Sequence, residues 1–456
     1  MRVAPSVNAI RAVWQKMTNF AKAKRRDGGA WPAAPAAVAP GPAVGDGRAR
    51  WRAERLPPHG GKAELNQQTA YMDYNFDELI PRRGTNSYKW DSAPGDDVIP
   101  MWVADMDFRT APPVVDALRR RVEHGVFGYV KVPEAYYDAV AGWFGRRHGW
   151  RIERDWIMYT SGVVPAVSVV VKALCEPGDK VILQTPVYNC FFSSVRNNGC
   201  EVLENPLMNN GGRYTMDYDD LERKAADPKA RLLVLCNPHN PVGRVWTAEE
   251  LERLNDICLR HGVRVLSDEI HCELVYQGHR YTPFAAVSDA CLGNAIVANS
   301  PSKSFNTAGL QIANIISNDA ETRARIDRAI NINEVCDVNP FGVEGLMAAY
   351  NEGEGWLDAL CDYLWDNYTE LCRFFADRLP RLRVTPLEGT YLVWVDCRSL
   401  GMTSDELTDR LAAEARVMVN SGTMYGSPGE GFIRINIACP RSRMMEGLGR
   451  IASVLG

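Results

Sequence analysis

The residues able to do chemistry in this 456-residue chain fall at five places, each directly after a short apolar run. Ser161-Gly162-Val163-Val164 follows Ile157–Thr160 and turns straight into a helical pattern. A small-residue turn at a helix start presents free N–H groups and the positive dipole end, which suits a phosphate. Thr185-Pro-Val-Tyr188 follows Lys180–Gln184, and Asn237-Pro-His-Asn240 follows Arg231–Cys236. Asp268-Glu-Ile-His271 follows Arg264–Ser267, and Ser300-Pro-Ser302-Lys303 follows Ala295–Asn299. Taken singly, each has an ordinary role: Asp268 as a cap, Asn240 before proline as a turn residue, Tyr188 as packing, Lys303 as a solvated charge. Together they make an amine able to form an imine, an anion cradle with hydroxyls, an aromatic face, an amide and a carboxylate.

The apolar runs are the elements that must position this set. They read as strands buried on both faces, alternating with helical patterns at Ala111–His124, Val163–Cys175 and Ala248–His261. That alternation predicts an α/β fold with a mostly parallel central sheet. In such sheets ligands bind beyond the carboxyl ends of the strands, which is where all five groups lie. After residue 356 a long helical pattern, Trp356–Leu379, leads to Thr390–Val395, a helix at Ser404–Glu414 and a strand at Phe432–Asn436. This predicts a smaller α+β C-terminal domain. No internal repeat is present. One cofactor uses every part of the set: pyridoxal phosphate needs a lysine amine, a phosphate cradle, an acid facing the ring nitrogen, a partner for the phenolic oxygen and a surface for the ring. Competing signals are weak. Gly429-Glu-Gly431 lacks the third glycine of a dinucleotide loop, and there is no Walker A lysine motif.

Composition narrows the classes. With 46% hydrophobic and 24% charged residues, the chain is globular rather than disordered. Its length predicts two or three domains at roughly 100–200 residues each. A net charge of −4 gives nucleic acid no electrostatic hold as main partner. The longest apolar run, Val163–Cys175, contains Ser168 and Lys172 and falls short of the ~20 residues of a membrane span. With no signal-peptide pattern and scattered single cysteines, a cytoplasmic protein with reduced thiols is expected. No metal is expected: the closest cluster, Asp268 to Glu273, has no completing ligands. Residues 1–70 differ from the rest, with 12 basic and 4 acidic side chains and a Pro/Ala-rich stretch at Trp31–Ala43. They predict a disordered low-complexity extension. The expected division is therefore 1–70 extension, 71–116 contributing to the small domain, 117–355 large cofactor-binding domain, and 356–456 C-terminal small domain.

Four segments, Asn237–Gly243, Ser267–His271, Ser300–Phe305 and Phe432–Ala438, resemble the fold-type I, class I and II aminotransferase superfamily in order and spacing. Within it, Arg83-Gly-Thr-Asn-Ser87, Trp102–Phe108 and Glu123–Tyr129 resemble the MalY/PatB branch of cystathionine β-lyases. The resemblance runs from about Met72 to the C-terminus. It implies a pyridoxal phosphate enzyme with Lys303 as the Schiff-base lysine, Asp268 against the pyridine nitrogen, Asn240 at the phenolic oxygen and Tyr188 stacked on the ring. It implies that Gly162, Val163, Val164, Ser300 and Ser302 hold the phosphate, with His271 also at the cofactor. Tyr129 would reach the phosphate of a neighbouring subunit, implying a homodimer. Arg434 would bind the substrate carboxylate, with Asp105 and Tyr129 on the substrate side. Two positions depart from the common aminotransferase pattern: His271 stands where tyrosine is usual, and Gln311 where arginine is frequent. The implied reaction is elimination of a thiolate from Cβ of a cysteine S-conjugate, ending in pyruvate and ammonia. An aminotransferase shares the steps up to Cα deprotonation and stays open as an alternative, as does a non-catalytic regulator on the same fold. The residues facing the leaving group are open too, with Asn189, Cys190, Met424 and Tyr425 as positional candidates.

Overall fold

A computed structural model describes residues 74–332 and 336–456. The tail expected at 1–70 lies outside the described residues. Seven strands form the central sheet: β1 (Ile157–Thr160), β2 (Lys180–Leu183), β3 (Glu201–Glu204), β4 (Ala230–Cys236), β5 (Arg264–Asp268), β6 (Ala295–Asn299) and β7 (Ala313–Ile316). Their order is β1-β7-β6-β5-β4-β2-β3. Every pairing is parallel except the two made by β7, which runs antiparallel to β1 and β6.

Alternation along these strands explains why they read as unbroken apolar runs. Leu233, Leu235, Val265 and Val297 enter one core; Leu232, Val234, Leu266 and Ile296 enter the other. Both faces are therefore dry, and nearly every strand position must be apolar. Helix α1 (Val163–Leu174) covers the second face. Its buried Val163, Ala166, Val167, Val170 and Val171 recur at helical spacing. Four valines in this buried stripe override the modest helix propensity of β-branched residues.

A four-stranded antiparallel sheet carries the C-terminal part, with β8 (Arg383–Val384), β9 (Leu392–Asp396), β10 (Asn420–Ser421) and β11 (Phe432–Asn436) in the order β8-β9-β11-β10. It follows the long helix α2 (Glu354–Arg378). The early segment Ile99–Pro100 pairs in parallel with Val417–Met418, so residues before the large sheet join this part of the molecule. Among the described residues no helix is long and apolar enough to cross a membrane.

The turn between Glu388 and β9 is fastened to the large sheet by a buried ion pair. Arg244 bonds Glu388 at 2.8 Å and Glu250 at 2.7 Å, and its guanidinium lies 4.6 Å from the Trp246 ring centroid. Gly243 beside it has φ +71° and no room for a Cβ, which would lie 2.8 Å from Leu387. Arg244→Ala leaves the buried Glu388 carboxylate only Val245 N–H and the more exposed Arg213 at 3.3 Å, so chemical denaturation should show a loss of up to about 3 kcal/mol.

Candidate active site

The carboxyl ends of five parallel strands converge on one cavity lined by Ser161, Gly162, Val163, Val164, Tyr188, Asn240, Asp268, His271, Ser302 and Lys303, with Ala104 and Gln311. All of these but Ala104 were singled out in the sequence, and they share a wall.

At one end, α1 begins immediately after Gly162 with no side-chain cap. The first two amides, of Val163 and Val164, have no helical acceptor, and Pro165 has no amide at all. Only at Ala166 does the ladder start, with its N–H bonded to Gly162 O. This leaves an uncapped positive end facing the cavity. Ser302 lies beside it. Ser300 stands behind rather than in the wall: its hydroxyl donates to Ile312 O at 2.7 Å and accepts from Ser302 N–H at 3.1 Å. Its role is to prop Ser302.

At the other end, Asp268 closes β5. Among the described residues the only hydrogen bond to its carboxylate is from Ile270 N–H at 3.1 Å, and burial pushes its pKa up to about 7. A dry carboxylate with one backbone donor suits a cationic N–H partner. Lys303 shares the cavity. Its Nζ donates to the Ala104 carbonyl at 2.6 Å; burial, then the Arg434 charge, bring its pKa down to about 8. The amine is thus half neutral near the pH at which a general base must work. His271 is buried, its ring edge-on to Tyr391 at 5.9 Å and its Nδ1 without a partner. Burial, then Lys303 and Arg434, hold it well below the usual imidazole range, so the ring is neutral. Burial also holds the Tyr188 phenol protonated.

Arg434, on β11, joins the site through its partners. It donates to Asn240 Oδ1 at 3.1 Å and to Trp102 O at 2.8 Å, lies 5.0 Å from the Tyr425 ring, and keeps a buried Nε–H that has no partner among the described residues. Two bonds fix the guanidinium plane and leave donors for a planar anion. Asp105 does not face the cavity as a free acid: Arg82 binds it at 2.8 Å, with Lys89 at 3.6 Å. Tyr129 is 97% exposed and outside this chain's cavity, flanked by exposed Val126 and Phe127.

Sequence reasoning missed one part. From Trp102 to Met106, five successive backbone carbonyls each accept from a distant side chain. Arg434 takes Trp102 O; Asn436 takes Val103 O and Asp105 O; Tyr391 and Lys303 take Ala104 O; Asn306 and Arg82 take Met106 O. Backbone acceptors carry no residue-type signature, so only the paired asparagines and Tyr391 offered a clue. The acids at Asp268–Glu273 divide as well. Glu273 turns away and accepts from Trp143 Nε1 at 2.6 Å, with His148 Nε2 at 2.7 Å.

The amide cradle, the lysine, the Asp268 carboxylate in the cavity wall and the tyrosine fit the phosphate, aldehyde, ring nitrogen and ring face of the cofactor expected from the sequence. The profile of the aminotransferase class I and II family matches residues 96–451. The chain is 42% identical over 386 residues to cystathionine β-lyase PatB of Bacillus subtilis, covering 84% of this chain and all of that protein. It is 33% identical over 388 residues to protein MalY of Escherichia coli, covering 84% and 99%. The crystal structure of cystalysin from Treponema denticola, which contains pyridoxal 5'-phosphate, superposes with a TM-score of 0.82 at 35% identity, covering 84% and 99%.

In cofactor-free protein the Lys303 amine should react with trinitrobenzenesulfonate with a midpoint near pH 8, followed by peptide mass mapping. A midpoint at the ordinary lysine value of about 10.4 contradicts the burial and the Arg434 charge as causes.

Proposed function

The chain belongs to the MalY/PatB branch of the class I and II aminotransferase family, and from that membership we propose that it is a pyridoxal-phosphate-dependent β C–S lyase. It cleaves cystathionine or a related cysteine S-conjugate to a thiol, pyruvate and ammonia. The observation that carries the reading is the union in one cavity of Lys303, the one acid in its lining, Asp268, and an uncapped helix start, in a chain 42% identical to a lyase along that lyase's whole length. We propose that 117–355 is the cofactor-binding lobe and that 71–116 and 356–456 form the other.

The residues divide the work by chemistry. Lys303 would hold the aldehyde end, Asp268 the ring nitrogen, Asn240 the phenolic oxygen and Tyr188 the ring face. Val163 and Val164 amides, with Gly162 and Ser302, would hold the phosphate, while Ser300 fixes Ser302. His271 is a neutral wall beside the ring. When bound, pyridoxal phosphate supplies an electron sink for the charge that develops at the substrate Cα. Arg434 takes the substrate carboxylate and sets the direction of the Cα–H bond. Once the substrate's own amine has taken its place at the aldehyde, the freed neutral Lys303 amine would accept the Cα proton, and thiolate would depart from Cβ with the electron pair. Asp105 serves the substrate side indirectly, by holding the strap that bears Ala104.

The exposed Tyr129, with Val126 and Phe127, supports a homodimer in which Tyr129 completes the partner's phosphate site and substrate side. Cytoplasmic residence is part of this proposal. Two positions favour elimination over transamination: His271 and Gln311 both depart from the common aminotransferase pattern, and both line the cavity.

Cystathionine or an S-alkyl-cysteine, supplied without any 2-oxo acid, should yield pyruvate and thiol in equal amounts; turnover that appears only on adding a 2-oxo acid assigns an aminotransferase instead. Lys303→Ala should lower kcat by about 10²–10⁴-fold. It should also abolish borohydride fixation of cofactor to the protein, read by mass spectrometry. Fixation at full yield in that variant would place the reactive amine elsewhere.

A further inference from the structure

Two acids follow one another at the end of β5, and the strand sends them to opposite sides. Asp268 enters the cavity; Glu269 enters the core and is 0% exposed. Its carboxylate accepts from Ser267 Oγ at 2.7 Å, from Phe284 N–H at 2.9 Å and from the Tyr281 hydroxyl. Among the described residues it has no salt bridge to a cation. Burial without a cation is costly and pushes the Glu269 pKa up, and the neutral donors Tyr281, Phe284 N–H, Ser267 and the Asn237 side chain offset that only in part. Anchoring the turn at Tyr281–Phe284 needs acceptors, which an uncharged amide also supplies. A charge at this place therefore calls for a reason beyond anchoring.

The reason lies one residue away. Asp268 has a single backbone donor and opens on the cavity. In a dry interior an added negative charge at adjacent residues is weakly screened. It raises the proton affinity of whatever faces Asp268. The titratable groups facing Glu269 are Asp268, Tyr281 and Cys272; Lys303 faces Asp268 from the loop after β6. Tyr281 in turn meets the His148 ring edge-on at 4.8 Å, and His148 is bonded to Glu273. Burial holds the Tyr281 phenol and the Cys272 thiol protonated. Of this set, Asp268 and Glu269 are the two adjacent acids, and of the pair only Asp268 opens on the cavity.

We propose that Glu269 is a positioning residue for Asp268: a second buried carboxylate behind the strand, whose charge adds to that of Asp268 in keeping a proton on the cofactor's ring nitrogen. This rests on the reading that Asp268 faces that nitrogen. Glu269 touches neither substrate nor cofactor and acts only through its neighbour and the field.

The test measures equilibrium binding of pyridoxal phosphate to the cofactor-free full chain from pH 6 to 9, for wild type, Glu269→Gln, Glu269→Asp and Asp268→Asn. If the ring nitrogen's pKa falls by one unit without Glu269, Glu269→Gln should bind up to about tenfold more weakly at pH 6, where the ring is protonated, and the deficit should shrink as pH rises through the bound ring's pKa. The charge-retaining Glu269→Asp should keep the wild-type profile. A Glu269→Gln profile parallel to wild type overturns the proposal and leaves Glu269 a structural anchor. If Asp268→Asn also leaves the profile unchanged, the placing of Asp268 itself is wrong, which is a different failure. Should Glu269→Gln not fold, carbon-13 NMR of the carboxyls in cofactor-free wild type decides. Glu269 must be ionised before Asp268; a Glu269 still protonated when Asp268 ionises overturns the proposal.

Discussion

A carboxylate with one backbone N–H to satisfy it, at the dry end of a strand, sets the terms for the rest of the site. Asp268 lies where burial favours its neutral form and where a cationic ring would restore its charge. The apolar sheet on both sides makes that environment, because neither face admits water to level the difference. Lys303 is subject to the same dryness with the opposite sign. Burial and Arg434 bring its amine down toward neutrality while Asp268 and Asp105 hold it up. An acid raised and a base lowered, facing one cavity, are two results of a single exclusion of solvent.

The second organising feature is the strap from Trp102 to Met106. It belongs to no regular element, yet its carbonyls are taken by residues of β11, of the turn into β9 and of the loop after β6. A segment of this kind would be floppy if its acceptors faced solvent. Here each acceptor is matched by a donor from a rigid part, so a short loop is positioned as firmly as a strand.

Much of this was legible in the residues. The five strand ends carrying Gly162, Tyr188, Asn240, Asp268 and Lys303 were visible because doubly buried strands are apolar without interruption and stop at polar residues. The helix after Gly162 was visible from its valine spacing. What stayed hidden was of another kind. Ser300 and Ser302 look equivalent in sequence, but one props the other, since only the chain's path decides which hydroxyl reaches the cavity. Asp105 reads as a free acid until folding brings Arg82 and Lys89 to it. The burial of Glu269 beside an exposed-looking run of charges depends on Tyr281 and Phe284, which are 12 and 15 residues away.

The strap also has a mechanical consequence. Arg434 grips it at Trp102, and Lys303 rests on it two carbonyls further along. Guanidinium and amine thus lean on a single short stretch of backbone, so any shift of that stretch moves the anchorage of both together.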